Sequence, residues 1–90
     1  MNTPPPTVSF TEGVVRGIVY DFANIGDGLP RHSHDAASVH ITIVATGEVE
    51  INGKRYAAGR SVVFRVGQSH EIIATQPHTR VYNILTGMAP

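Results

Sequence analysis

Histidine is the residue type with which this sequence could do chemistry. Five histidines occur in 90 residues, and four of them, His32, His34, His40 and His70, fall between positions 32 and 70. His32 and His34 are separated by one residue, so on a strand both imidazoles would leave the same face. Neutral imidazole is the commonest protein ligand for zinc, iron, copper and nickel. The pattern points to a divalent metal site, although an H-x-H pair alone is a weak signal that unconnected histidines also produce.

The composition excludes several other kinds of site. The chain has no cysteine, which rules out disulfides, thiolate nucleophiles and cysteine-ligated metals. Seven basic residues balance seven acidic ones and the isoelectric point is about 7.0, which argues against nucleic-acid binding. No apolar run approaches the length of a membrane-spanning helix. We therefore expect a small-molecule ligand or substrate, and neither nucleic acid nor a membrane, as the partner.

The histidines must be positioned by short strands. Nine glycines divide the chain into pieces too short for ordinary helices, and the Asn52-Gly53 pair is a strong hairpin signal. Short segments rich in β-branched and aromatic residues lie between the turns, which indicates one all-β domain, a small sandwich or barrel. The predicted strands are Thr7–Phe10, Val14–Phe22, Val39–Ala45, Glu48–Ile51, Ser61–Val66, His70–Thr75 and Arg80–Thr86.

The start of the chain differs in composition from the rest. Residues 1–7 contain three consecutive prolines, Pro4 to Pro6, which favour an extended polyproline II conformation. We expect residues 1–7 to form an extended arm and residues 8–90 to form the β domain. The arm either frays or lies across a neighbouring subunit. Because it lacks a basic segment followed by an apolar stretch, it is not a signal peptide, and we expect a cytoplasmic protein.

The spacing of glycines and histidines together resembles the cupin superfamily, in particular its small single-domain members. The first cupin motif is G-x5-H-x-H-x3-4-E-x6-G, and Gly26, His32, His34 and Gly47 occupy its fixed positions. His40 stands where the family usually has glutamate, after a spacer that is one residue longer than usual. The resemblance implies a double-stranded β-helix, which is a small jelly-roll barrel.

The second cupin motif, G-x5-P-x-G-x2-H-x3-N, is met by Gly59, Gly67 and His70, while Arg65 replaces its proline and Ala74 its asparagine. Carried over by position, the resemblance makes His32, His34 and His70 metal ligands. It makes His40 a candidate fourth ligand, or a residue that only supports the ligands. The metal could be iron, manganese, zinc, nickel or copper, because nitrogen-rich ligation disfavours magnesium and calcium.

An all-histidine site carries the full charge of its ion, so it should attract an anionic or chelating oxygen ligand. We expect a metal-dependent enzyme acting on a small oxygenated molecule, by dioxygenase or by Lewis-acid lyase or isomerase chemistry. The alternatives are a non-catalytic module that binds a small molecule or metal, and a structural cupin without metal. Tyr20, Tyr82 and Arg65 are candidate catalytic residues, though tyrosines in small β domains commonly only pack. Asp35 could orient a histidine.

One strand has apolar residues on both faces. Val39, Ile41 and Ile43 point to the side opposite His40 and Thr42. A short chain has little with which to cover both sides of a sheet, so such a strand is buried between subunits. We expect a homodimer formed by sheet packing, in which the N-terminal strand could be exchanged between the two copies.

Overall fold

The computed structural model describes residues 1–34 and 39–87. Within these ranges the chain forms nine strands and no helix, and it contains no helix long and apolar enough to cross a membrane. The strands are β1 (Val8–Glu12), β2 (Val15–Phe22), β3 (Gly28–His32), β4 (Val39–Thr46), β5 (Glu48–Ile51), β6 (Lys54–Ala57), β7 (Ser61–Arg65), β8 (His70–Ala74) and β9 (Thr79–Thr86).

The strands form two antiparallel sheets. A five-stranded sheet has the order β1-β2-β9-β4-β7, and a four-stranded sheet has the order β3-β8-β5-β6. Neighbours in each sheet come from distant parts of the chain, because β9 pairs with both β2 and β4, and β8 pairs with both β3 and β5. This arrangement confirms the all-β prediction.

The core lies between the two sheets and follows the alternation along each strand. In β4, His40, Thr42 and Val44 are buried, while the residues between them are only partly buried. Full burial of a large apolar side chain contributes about 1.5–3 kcal/mol to stability. The core cluster consists of Phe22, Leu29, Val44, Val49, Ile51, Phe64, Ile72, Ala74 and Val81.

Two of the nine strands were not among the predicted segments. In β6, residues 54–57 pair with β5 through the predicted hairpin, in which Asn52 and Gly53 have φ of 49° and 84°. In β3, glycine and proline hide the strand signal. A Cβ atom at Gly28 would collide with the carbonyl oxygen of Ile72 in β8, so glycine permits this close strand pairing.

The N-terminal residues contact their own chain. The backbone oxygen of Asn2 accepts a hydrogen bond from the Gly28 amide at 3.0 Å, and its side-chain amide donates to Asp27 at 3.3 Å. The Thr7 amide donates to the Val19 carbonyl at 2.8 Å, which leads the chain into β1. The N-terminal residues Asn2 and Thr7 are therefore hydrogen-bonded to the start of β3 and to β2 of their own chain.

Candidate metal centre

Four histidines converge at one end of the sandwich because of how the strands pair. His32 ends β3 and lies opposite His70, the first residue of β8, in the antiparallel register. His34 follows β3 by two residues, and His40 lies near the start of β4 in the other sheet. The site therefore spans the two sheets at the mouth of the barrel.

His32 and His70 face each other with their Nε2 atoms 3.0 Å apart. The Nδ1 atom of His32 lies 2.6 Å from the Pro30 carbonyl oxygen, and that of His70 lies 3.0 Å from the Gln68 carbonyl oxygen. A carbonyl only accepts, so each Nδ1 carries the hydrogen of the neutral ring and each Nε2 presents a lone pair. Two lone pairs aimed at each other have no proton to share, and a cation would satisfy both.

His34 completes a group of three. One nitrogen each from His32, His34 and His70 lies within 4.8 Å of the others. The ring centroid of His34 is 4.9 Å from that of His32 and 5.4 Å from that of His70. Two nitrogens bound at about 2.1 Å to one ion stand about 3.0–3.4 Å apart. The His32–His70 pair already has this spacing, and the donor set fits a transition metal.

His40 is one of the two buried histidines of the cluster and is 3% exposed. Its ring centroid lies 4.9 Å from that of His34 and 4.7 Å from that of His70. Among the described residues it falls outside the group of three, yet its Nδ1 is buried without a hydrogen-bond partner. A buried polar atom without a partner is rare in proteins and calls for a ligand or ion.

Burial keeps the two inner imidazoles neutral. Loss of hydration lowers the pKa of His40 from 6.5 to about 4, against the opposing effect of a hydrogen bond with Asn83 and with a further lowering from the neighbouring His70 and His34. The pKa of His70 is lowered to about 4 for the same main reason, with His32 and His34 adding to the effect. Both rings are therefore unprotonated at neutral pH, which is the form that binds metals.

Phe64 of β7 forms the apolar wall of the site. Its ring centroid lies 4.2 Å from that of His70 and 5.2 Å from that of His40. Phe64 is 2% exposed and pairs with His40 across the sheet. This wall lowers the local dielectric and excludes water from the inner side of the histidine cluster.

The chain is similar to known proteins in its structure. No family model matches the chain, and no curated protein matches it. An uncharacterized conserved protein with a double-stranded beta-helix domain from Klebsiella pneumoniae superposes with a TM-score of 0.81 at 21% identity, over 96% of this chain and 78% of that one. KdgF from Halomonas sp. gives 0.77 at 20% identity, over 91% and 77%. An RmlC-like cupin protein from Desulfovibrio desulfuricans gives 0.71 at 22% identity, over 86% and 77%.

The chain has the cupin fold. This confirms the double-stranded β-helix that the two glycine–histidine motifs implied. His32 and His34 of the first cupin motif and His70 of the second meet in the group of three. His40, at the motif's glutamate position, lies beside them on the first strand after the motif's histidine pair.

The candidate catalytic residues lie elsewhere in the cupin barrel. Tyr20 faces the core, where it stacks on Phe22, and it pairs with Val81. Val81 is four residues along β9 from the partner of His40, about 13 Å away at the usual strand rise. Tyr82 lies on the outer face of β9. The structure therefore does not bring these two tyrosines to the histidines.

Arg65 and Asp35 were the remaining candidates. Arg65 ends β7 and has the outward parity of Val63, opposite to that of Phe64, and it is exposed. Its backbone amide donates to the side-chain oxygen of Gln68 at 3.1 Å. Asp35 lies outside the described residues. The candidate catalytic residues Tyr20, Tyr82 and Arg65 therefore add no side chain to the histidines at the site.

One polar residue near the site was missed. Asn83 is 4% exposed and faces the interior from β9, where its side chain reaches Thr42. The signal was available: Asn83 has the same strand parity as the apolar Val81 and Leu85. A polar residue in an otherwise apolar stripe needs a hydrogen-bonding partner inside the protein.

Proposed function

We propose that the protein is a metal-dependent cupin that binds one divalent transition metal and acts on a small oxygenated molecule. His32, His34 and His70 would hold the ion, and His40 would be the fourth ligand. The observation that carries the proposal is the facing pair of Nε2 atoms of His32 and His70, 3.0 Å apart, with a nitrogen of His34 close by. The backbone carbonyls of Pro30 and Gln68 orient the rings of His32 and His70, as hydrogen-bond acceptors behind the ligands do in metal sites.

The character of the site supports an anionic or chelating substrate. Histidine nitrogens are neutral ligands, so the bound ion would keep its charge and would supply Lewis-acid or O₂ chemistry. Phe64 keeps water from the inner side, where electrostatic attraction is stronger. His32 and His34 are half-buried, so the ligand would enter from their side. Dioxygenase chemistry and lyase or isomerase chemistry both suit such a site.

A non-catalytic module that binds a small molecule or a metal is the second candidate. The observation that favours it is the placement of Tyr20 and Tyr82, which leaves the histidines without the phenol that could move a proton for them. In this role the metal would fix the ligand and no bond would be broken. Oxygen uptake and product formation over diketones, catechols, uronates and sulfur compounds separate the two candidates.

Metal analysis of protein purified without a tag tests the metal site. We expect about one equivalent of metal in the wild-type protein and a large loss in His70→Ala. The matched control is His78→Asn, which removes an exposed histidine with φ of 54° in a loop and should leave metal content unchanged. Wild-type protein that stays substoichiometric after incubation with iron, manganese, zinc, nickel or copper would overturn the proposal. Equal content in His70→Ala would also overturn it.

We also propose that two copies associate through the outer face of the five-stranded sheet. Its apolar residues that point away from the core are Val8, Phe10, Val19, Val39, Ile41, Ile43, Val63, Tyr82 and Ile84, and the same face carries the Asp21–Arg80 ion pair and Arg65. Phe10 and Val63 are 54% and 59% exposed. Apolar patches of this extent on a protein surface mark interaction sites.

The second sheet shows why the partner should be another copy. Its outer face carries charged residues, with Glu50 opposite Arg55 across the β5–β6 pair and Glu48 3.7 Å from Arg55. The outer face of the five-stranded sheet is the more apolar of the two, so two such faces match each other better than either matches the charged one. A cavity of about 280 Å³ between Phe10, Ile43 and Tyr82 leaves room for side chains of the second copy. Sedimentation velocity at micromolar concentration tests this assembly.

A further inference from the structure

Asn83 and Thr42 form a buried polar pair next to the histidine cluster. Thr42 is 0% exposed and Asn83 is 4% exposed. The Thr42 hydroxyl donates to the Oδ1 atom of Asn83 at 2.7 Å, across the β4–β9 pairing. The proposed metal site does not use either residue, so their burial needs another reason.

The pair determines which nitrogen of His40 carries the hydrogen. The Nε2 atom of His40 lies 3.2 Å from the Thr42 oxygen. A hydroxyl has one proton, and Thr42 gives it to Asn83, so the threonine oxygen can only accept from His40. Neutral His40 must then carry its hydrogen on Nε2. Its lone pair is on Nδ1, the buried atom without a partner.

His40 thus differs from the other inner histidine. His70, like His32, holds its hydrogen on Nδ1 through a carbonyl two residues earlier in its own strand or turn, and presents Nε2. His40 instead takes its orientation from Asn83, which is far away in sequence. The two nitrogens of an imidazole lie on opposite sides of the ring carbon between them. A ring with Nε2 on Thr42 therefore turns Nδ1 away from Thr42.

We propose that Thr42 and Asn83 are positioning residues that hold His40 as its Nε2–H tautomer, so that it offers Nδ1 to the metal. The metal half of this statement rests on the proposed function, whereas the tautomer belongs to the protein alone. The arrangement explains why a buried Nδ1 is left without a hydrogen-bond partner, which otherwise destabilises a folded protein.

The tautomer can be measured without metal. Long-range ¹H–¹⁵N spectra of the metal-free protein at neutral pH distinguish a protonated ring nitrogen from one with a lone pair. We expect the Nε2–H pattern for His40 and the Nδ1–H pattern for His32 and His70. An Nδ1–H pattern for His40 in the wild-type protein would overturn the proposal.

Two pairs of variants test the role of the Thr42–Asn83 pair. Thr42→Val removes the hydroxyl acceptor while keeping the shape, and Asn83→Leu removes the acceptor of Thr42 together with the hydrogen bond between Asn83 and His40. We expect both to abolish the pure Nε2–H pattern and to weaken Zn²⁺ binding by about 10–100-fold, as loss of such supporting groups does. Thr42→Ser and Asn83→Asp keep the acceptors and should keep both the tautomer and the affinity.

The outcomes distinguish the positioning of His40 by Thr42 and Asn83 from metal binding by the histidines. A Thr42→Val protein that keeps its chemical-shift dispersion, the Nε2–H pattern and wild-type Zn²⁺ affinity would overturn the proposal that Thr42 positions His40. If Thr42→Val does not fold, Asn83→Leu against Asn83→Asp gives the same comparison. Failure of the wild-type protein to bind iron, manganese, zinc, nickel and copper alike, with the Nε2–H pattern intact, would overturn the proposed function and the metal half only.

Discussion

Acidification should destabilise the metal-free protein through two buried histidines. The folded-state pKa values of His40 and His70 are about 4, against 6.5 for an unperturbed histidine. Above pH 6.5 both rings are neutral in the folded and the unfolded chain, so the free energy of unfolding does not depend on them. Below pH 6.5 the unfolded chain binds protons that the folded chain does not, and stability falls as pH falls. The loss levels off below about pH 4.

The size of the effect follows from the two pKa shifts. A lowering from 6.5 to about 4 corresponds to about 3 kcal/mol for each histidine, because one pKa unit is about 1.4 kcal/mol. Near pH 5 each ring contributes almost one proton to the difference between the states. The free energy of unfolding should therefore change by about 2.5 kcal/mol per pH unit. Between pH 7.5 and pH 4.5 the two rings together should remove about 5 kcal/mol, a third or more of the about 5–15 kcal/mol that small domains have in total.

Urea unfolding in chelator between pH 4.5 and pH 7.5 measures this slope. His70→Gln replaces one titrating ring by a neutral side chain of similar size and should reduce the slope near pH 5 by about half. The control variant His78→Asn changes an exposed histidine outside the cluster and should keep the wild-type slope. A free energy of unfolding that stays constant from pH 6.5 to pH 4.5 would refute the argument from burial. An unchanged slope in His70→Gln would refute the assignment to the site.

Three further outcomes are expected. Metal at 100 times its dissociation constant should raise the free energy of unfolding by about 2.7 kcal/mol and the melting temperature by about 10–20 °C in differential scanning fluorimetry; no shift in chelator-treated and reloaded protein contradicts a folded metal site. Gly47→Ala should cost clearly more than Gly53→Ala in urea unfolding, because both have positive φ but only at Gly47 would a Cβ collide with Thr79. Gly53→Ala should cost about 1–2 kcal/mol, and equal losses would count against the collision. Ile41→Lys should convert the dimer to a monomer in sedimentation velocity, whereas Glu50→Lys on the other sheet should not, and a monomeric wild type excludes the dimer.

Several features of the site could be read from residue types and spacing. The glycine–histidine motifs predicted the barrel and predicted that His32, His34 and His70 belong to one site, and the structure brings these three together. The hairpin at Asn52-Gly53 followed from its demand for positive φ, which the structure confirms. Such features are local, because a turn type or a two-residue alternation depends on neighbours in the chain.

Other features could not be predicted because the local pattern is ambiguous. Strand β3 contains Gly28 and Pro30, residues that weaken a strand signal, and its pairing with β8 holds it in place. Along β9 both faces mix apolar and polar residues, so alternation does not say that Tyr82 points outward. The sheet that covers one face decides the direction, and that sheet is built from other segments.

The residues alone established an all-β chain that carries a set of histidines on its strands and has no cysteine to bind metal or act as a nucleophile. Tertiary pairing decided which histidines meet and which nitrogen each one presents. His32 and His70 are opposed because β3 and β8 pair, and His40 is oriented by Asn83 because β4 and β9 pair. A hydrogen bond acts over about 3 Å in space regardless of separation along the chain, so the protonation pattern of the rings belongs to the folded barrel.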